Sequence, residues 1–460
     1  MFKVEWCIVL FLLILVAIGN GSEPTCLGLN KWLKYSAEQP QAPYCPFSIK
    51  NKNNAIYLLY DVNPPEGFNL RRDVYIRLAV FMRQLQATKG YENVRMVLPP
   101  WRRVYHWKSH HIEQDSLPWQ HFFNIESLKR YAPVIDFPEF LAEYRDFGVG
   151  NNFHLPVHKV LQLRHFKDMF ENGVFKDKWE LSQDCPENPH LLQGSFLKES
   201  PLWLKDPKVQ CVNYQGSASL LKQVINRITK SLENDQLPKI IAILNAEIVL
   251  HEHWADREFW KARRSMRFAD NLMKVAADFR MSNFDSNDNM DNVQRPPMWE
   301  YESPKHKGNA LGGSYLCVHL RRGDFLYGRE KTTPTLKSSA LQIKYHLQNH
   351  NLTTVFLATD ATAFEIKNLK SYIPRYRIVR FSTENLYQKS LIKDGGIAII
   401  DQLICSHARF FIGTYESTFT YRIYEEREIL GFPRDRTFNT LCKKSTMENC
   451  LQNSVWPIVY

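Results

Sequence analysis

Short apolar runs that stop at a turn and give way to a segment of helical period recur in both halves of the chain. They limit the fold more than any other feature of the sequence. Residues 55–60 form one such run. The turn Asp61-Val62-Asn63-Pro64-Pro65-Glu66-Gly67-Phe68 follows, and Asn69 stands where it can cap a helix over 70–85, whose Val74, Leu78, Phe81 and Leu85 share a face. Residues 95–98 read as the next strand, closed by Pro99-Pro100. Strand, helix, strand is the opening of a parallel α/β sheet. The rhythm returns later, with strands at 314–320, 353–358 (ending in Thr359-Asp360), 377–381 and 408–413, and helices at 395–407 and from Ser417 to Glu428. Residues 114–233 look irregular, 256–280 reads as one long amphipathic helix, and the Asn- and Asp-rich stretch 282–292 reads as a solvated loop. A chain of 460 residues exceeds one ordinary core, so two domains are expected, 22–255 and 256–460. Ligands in such sheets gather beyond the carboxyl ends of strands.

The N-terminus points to a compartment. Lys3, an apolar run at 8–18 and Gly19-Asn20-Gly21-Ser22 have the layout of a cleaved signal peptide over 1–21. The run falls short of the roughly 20 apolar residues of a spanning helix, and no later run reaches that length. A soluble protein of an oxidising lumen is expected. Of nine cysteines, Cys7 leaves with the leader. The remaining eight allow about 105 pairings, and position favours Cys185 with Cys211, Cys442 with Cys450, and Cys26 with Cys45. Cys317 and Cys405 lie in apolar segments and are expected as buried free thiols. Asn351-Leu352-Thr353 is a glycosylation sequon that a lumenal address makes usable. The net charge of +11 suits an acidic glycan, a nucleotide sugar or an acidic protein surface; a lumenal address argues against nucleic acid.

Three clusters of chemically able residues stand at strand ends. In Pro65-Glu66-Gly67-Phe68-Asn69, Gly67 permits close backbone approach, the following helix offers free N–H groups, and Glu66 can take a proton from a hydroxyl. A Pro-Gly turn with a solvated glutamate explains the same residues. In His319-Leu320-Arg321-Arg322-Gly323-Asp324, a guanidinium at a strand terminus can hold a leaving diphosphate. A surface ion pair of Arg322 with Asp324 is the plainer account. Ser417-Thr418-Phe419, with Glu425-Glu426-Arg427 beyond, either binds phosphate or ribose oxygens or simply caps a helix. Asp401, flanked by apolar residues, needs a partner, either a guanine edge or an arginine of the fold. His106, His110, His111, His251 and His253 lack the spacing of a metal site, and no Walker loop or Asp-x-Asp motif accompanies them.

Taken together, Tyr60–Asp73, Gln215-Gly216-Ser217-Ala218-Ser219, Val318-His319-Leu320-Arg321-Arg322, Asp394-Gly395-Gly396, Ile400-Asp401-Gln402, His407–Thr414 and Glu425–Gly431 run in an order that closely resembles the GDP-fucose protein O-fucosyltransferases, in the branch that modifies thrombospondin type 1 repeats. The resemblance spans nearly all of the chain after the leader. It implies a GT-B fold, two Rossmann-like domains facing across a cleft. It also implies inverting transfer of fucose from GDP-β-L-fucose to a Ser or Thr hydroxyl of a folded repeat, in the endoplasmic reticulum lumen. Positive charge from Arg321 at the diphosphate would make a divalent ion unnecessary, and a monomer with no cofactor beyond its donor substrate is expected. Glu66 takes the place of the family's base. The nucleotide-sugar site falls on Pro65, Glu66, Gly67, Phe68, Asn69, His319, Leu320, Arg321, Asp401, Thr418 and Phe419. Glu426 matches an essential glutamate, and the bridges Cys185–Cys211 and Cys442–Cys450 match those of the family. Residues 20–50 and 282–292 match poorly, and Cys317 departs from the small residue expected there. Three rivals remain: the sister branch acting on EGF-like repeats, whose motif lacks the glutamate; a repeat-binding chaperone without turnover, which would have no need of Glu66, Arg321 and Glu426 together; and a fucosyltransferase acting on glycans.

Overall fold

All five residues of the first strand are buried, as a strand covered on both faces requires. A computed structural model describes residues 55–102, 104–145, 157–168, 176–185, 209–232, 238–304, 308–443 and 455–460. The leader, Cys26, Cys45 and Cys450 lie outside them. The described residues all belong to one compact unit.

The strands are β1 (Ile56–Tyr60), β2 (Val94–Leu98), β3 (Val134–Asp136), β4 (Lys159–Arg164), β5 (Lys178–Leu181), β6 (Val209–Gln215), β7 (Lys239–Leu244), β8 (Gly313–Leu320), β9 (Thr354–Thr359), β10 (Arg377–Val379), β11 (Ala408–Thr414) and β12 (Thr440–Leu441). They make two sheets, ordered β3-β2-β1-β7-β4-β6-β5 and β10-β9-β8-β11-β12. Every pairing is parallel except that of β5 with β6. The helices are α1 (Phe68–Gln86), α2 (Ile125–Lys129), α3 (Phe137–Arg145), α4 (Leu221–Ser231), α5 (Arg257–Ser265), α6 (Asp270–Phe284), α7 (Phe325–Gly328), α8 (Leu336–Asn349), α9 (Ala363–Tyr372), α10 (Leu386–Ser406) and α11 (Thr418–Leu430). No helix among the described residues is long and apolar enough to cross a membrane.

The period of two along a strand sorts the core. On β8, Tyr315 and Cys317 join a large apolar cluster with Ile399 and Leu403 of α10, which continues to Leu58 and Tyr60 of β1 and to Leu78 and Phe81 of α1. Leu316, Val318 and Leu320 face the other way, onto Ile343 and Leu347 of α8. One hydrophobic body therefore backs one face of each sheet.

Several expectations are corrected. Residues 114–233 carry β3 to β6, whose short runs mix polar with apolar residues and so escape a hydrophobic reading. The segment 256–280 is two helices, because the chain between them pairs away: Phe268 bridges to Phe123, and Asn124 N–H donates to Arg267 O at 2.9 Å. Residues 282–292 close on themselves, with Ser286 Oγ donating to Asp291 Oδ2 at 2.5 Å and Asn287 Oδ1 accepting from the N–H of Asn289 and Met290. The polar residues there make an ordered turn that is largely exposed, in keeping with the solvated loop expected. α1 starts at Phe68 with Gly67 as its N-cap, so Asn69 sits inside the helix and caps nothing. Phe68 is driven inward among Trp101, Trp107, Phe122 and Phe123 and brings the helical register forward.

Cys185–Cys211 is bridged as expected, and Cys442 is disulfide-bonded. Cys317 and Cys405, expected as free thiols, form a disulfide between β8 and the last turn of α10, with Cα atoms 5.0 Å apart. Their apolar flanks are equally the flanks of a bridge buried between a helix and its sheet.

Candidate functional site

In each sheet the strand order reverses beside a central strand, and the loops leaving its two sides diverge to open a crevice. In the first sheet that strand is β1, between β2 and β7; in the second it is β8, between β9 and β11. The three clusters leave β1, β8 and β11.

The loop after β1 is laced to β7. Asp61 N–H donates to Ile243 O at 2.9 Å, and Ala246 N–H to Asp61 O at 3.0 Å. Arg71, one turn into α1, donates back to Glu66 O at 2.9 Å and Pro64 O at 3.3 Å. The turn is held by its backbone, which leaves the partly buried Glu66 carboxyl accepting no hydrogen bond among the described residues. Burial, and then the neighbouring Glu247 charge, raise its pKa above the ordinary glutamate value, against the pull of Arg71 and Arg77. A carboxyl so placed is suited to receive a proton.

At the end of β8, His319 is buried and stacks on Phe419 with ring centroids 4.3 Å apart. Its Nδ1 lies 2.7 Å from Thr420 Oγ1. Burial first, and then Arg321, lower its pKa to about 3, so the imidazole is neutral. Leu320 points into the core and leaves only its backbone for a ligand. Arg321 pairs with Asp324 at 2.7 Å and Asp360 at 2.9 Å. The expected ion pair of Arg322 with Asp324 is not the one formed: Arg322 turns to Glu365, at 2.9 Å, and to Pro334 O, at 2.8 Å, and its backbone N–H binds Asp360 Oδ1 at 2.7 Å. Asp360 also explains Gly323, where a Cβ would stand 2.6 Å from its Oδ2.

Two contacts bring the clusters together. Arg321 Nη2 donates to His106 Nδ1 at 3.3 Å, and the same imidazole ring lies where a Cβ on Gly67 would meet it at 3.1 Å. His106 thus stands between the Glu66 loop and the arginine. Farther along α1, Asn69 Oδ1 accepts from Gln402 Nε2 at 2.8 Å, and Gln402 Oε1 accepts from Arg72 at 2.7 Å. This ties α1 to α10 at the residue after Asp401. The Asp401 carboxyl accepts no hydrogen bond among the described residues. Burial raises its pKa to about 7, against the attraction of Arg380. Thr418 is exposed at the start of α11, whose N-cap Ser417 makes no side-chain cap.

Glu426 stands differently. Its carboxylate is buried and paired with Arg295 at 2.5 Å and Arg263 at 3.0 Å; burial alone would raise its pKa, but these arginines bring it to about 2. Glu425 pairs with Arg263 and Arg422, and Arg422 reaches Asp73 of α1 at 3.3 Å. Of the histidines weighed as metal ligands, His251 lies 3.2 Å from Asp73. Among the described residues no group of three His, Cys, Asp or Glu side chains could hold a metal ion.

Sequence reasoning missed His106, Asp360 and Gln402 as parts of this constellation. Asp360 directly follows a strand, a signal that needed only the adjacency of β9 to β8. Nothing local distinguishes His106 or Gln402.

Two switch points, one beside a carboxyl of raised pKa and the other beside a strand-end arginine, define the class: a parallel α/β protein that takes its ligand at the carboxyl ends of its strands. The comparisons narrow it. The GDP-fucose protein O-fucosyltransferase pattern matches residues 57–430, and the chain belongs to that family. GDP-fucose protein O-fucosyltransferase 2 of Drosophila melanogaster is 52% identical over 445 residues, covering 96% of this chain and 89% of the fly protein. The Homo sapiens protein of the same name is 39% identical over 414 residues, covering 88% and 90%. A crystal structure of POFUT1 in complex with GDP-fucose shares the fold, with a TM-score of 0.54 at 12% identity over 86% of this chain and 99% of that one.

Proposed function

We propose that the protein transfers fucose from GDP-β-L-fucose, with inversion, to a Ser or Thr hydroxyl of a folded thrombospondin type 1 repeat. The observation that carries this is the meeting of Glu66 and Arg321 on either side of His106. In this reading the Glu66 carboxylate takes the acceptor's hydroxyl proton as its oxygen forms a bond to the anomeric carbon. The bond from that carbon to the diphosphate breaks on the opposite side, and its electron pair leaves with GDP. Arg321 holds the charge that develops there. Asp401 accepts from the guanine N–H groups, and Thr418 with the N-terminus of α11 faces donor oxygens. Phe68 and Leu320, both buried, shape the site from behind. Glu426, whose partners are all arginines, acts by positioning.

The division into domains 22–255 and 256–460 around a cleft belongs to this reading. It is supported by the strands: β1 to β7 all precede residue 255, and β8 to β12 all follow it. Buried disulfides favour an oxidising compartment, and the endoplasmic reticulum lumen is where such a repeat would be met.

A GDP-release assay tests the proposal, with GDP-fucose and a folded thrombospondin repeat, the same repeat reduced, and a folded EGF-like repeat. Release with the folded thrombospondin repeat alone is expected. Turnover only with the EGF-like repeat would move the protein to the sister activity, and binding without release would make it a repeat-binding chaperone. We expect EDTA to leave the rate unchanged, because Arg321 supplies the positive charge at the diphosphate; loss of rate with EDTA and its recovery on adding a divalent ion would refute metal independence.

A further inference from the structure

His106 stands between the two clusters, yet no step above uses it. The segment that carries it, 104–114, is clamped to α10: Asp394 accepts from Ser109 N–H at 2.9 Å, Ser109 Oγ at 2.7 Å and Gln114 Nε2 at 3.0 Å. Next to the clamp, Gly395 has no room for a Cβ, which would fall 2.6 Å from Trp107 and 2.7 Å from Phe122. The motif Asp394-Gly395 therefore serves to seat the segment of His106.

We propose that His106 is a positioning residue for Arg321, orienting its guanidinium toward the leaving diphosphate through a hydrogen bond from Nη2 to a neutral acceptor, Nδ1. The proposal rests on the fucosyltransferase reading above. Its physical content lies in the contrast with the other two acceptors. Asp324 and Asp360 hold the same guanidinium, but each brings a negative charge that offsets the attraction for a diphosphate. An imidazole nitrogen fixes the orientation and adds no charge. His106 is exposed, but the partial desolvation of its ring, and then Arg321 itself, lower its pKa, which favours a neutral imidazole able to accept at Nδ1. The close approach of its ring to Gly67 also fixes the spacing between the arginine and the Glu66 loop.

The test is a set of purified full-length variants assayed for GDP release with donor and folded repeat, with thermal unfolding followed alongside. His106→Leu keeps bulk and loses the acceptor. His106→Asn keeps an acceptor near the position of Nδ1. Leucine should lower kcat on the order of tenfold, the size of one lost hydrogen bond to a charged group, with little change in KM for the acceptor. Asparagine should recover most of the rate. Adding His106→Leu to Arg321→Ala should cost nothing further, because both act through the same group. A leucine variant with wild-type kcat overturns the proposal. So does asparagine as slow as leucine at unchanged unfolding temperature, and so do losses that multiply in the double variant. A wild-type protein that releases no GDP would instead sink the fucosyltransferase reading, and the inference with it.

Discussion

Glu66 and Asp401, whose carboxyls accept no hydrogen bond among the described residues, face opposite demands in the proposed mechanism. On that mechanism Glu66 accepts a proton once per turnover, and its raised pKa suits that role. Glu66→Gln keeps the size and hydrogen-bonding reach of the side chain but cannot take the proton. We expect turnover to fall about a hundredfold while GDP affinity, measured by calorimetry, is retained. A glutamine variant of normal rate would remove Glu66 as base. Asp401, on the same proposal, instead stays ionised to bind guanine. Its pKa in the free protein is raised to about 7, so the binding form is lost as pH falls through that value. GDP affinity should therefore reach a plateau above pH 7 and weaken by up to about tenfold per unit below it. Asp401→Asn should bind weakly and without this slope; an identical slope in the variant would assign the titration to another group. Arg321 was legible from sequence because it follows a strand end directly, and Glu66 because it sits in the short Pro-rich turn between a strand and a helix. His106 was not, because its meaning depends on two residues far away in the chain, Gly67 on one side of the ring and Arg321 on the other.

At the scale of elements, α1 and α10 are tied together beside the site. α1 presents the Glu66 loop at its start and meets α10 through Asn69, Arg72 and Gln402. α10 contributes Asp401, the Asp394 clamp and Cys405, and it is interrupted at Lys393, whose backbone has φ 66° and ψ 168°. Packing against the clamp should be sensitive to volume. Gly395→Ala forces a methyl group into Trp107 and Phe122 and should destabilise the protein by about 1–3 kcal/mol, read from chemical denaturation. An unchanged midpoint would show that Trp107 moves aside at no cost. The strands β1, β2, β8, β9 and β11 were legible because their apolar runs are continuous, as buried parallel strands require. β4 and β6 were not, since Lys159, Gln162, Gln210 and Asn213 break the pattern. The cap placed at Asn69 failed for a related reason: its side chain serves Gln402, 333 residues away, and no local rule anticipates that.

Across the whole molecule, a buried cluster of charges joins elements that belong with different sheets. Asp73 of α1 meets Arg422 of α11, Arg263 of α5 meets Glu425 and Glu426 of α11, and Arg295 closes on Glu426. Removing one acid leaves buried arginine charge uncompensated. Glu426→Ala should cost about 3–5 kcal/mol of stability, with loss of turnover following the loss of folded protein. A variant with a wild-type unfolding curve and no activity would put Glu426 at the substrate instead. The Asp394 clamp has a consequence in time as well as in space. Gln114 and Asp394 are 280 residues apart in the chain. At translation rates of roughly 5–20 residues per second, the segment bearing His106 leaves the ribosome roughly 15–60 s before its anchor is made. The site is thus a late product of synthesis, assembled only once α10 has been made, and a nascent chain stalled before α10 would emerge with the Glu66 turn made and the segment of His106 still without its anchor.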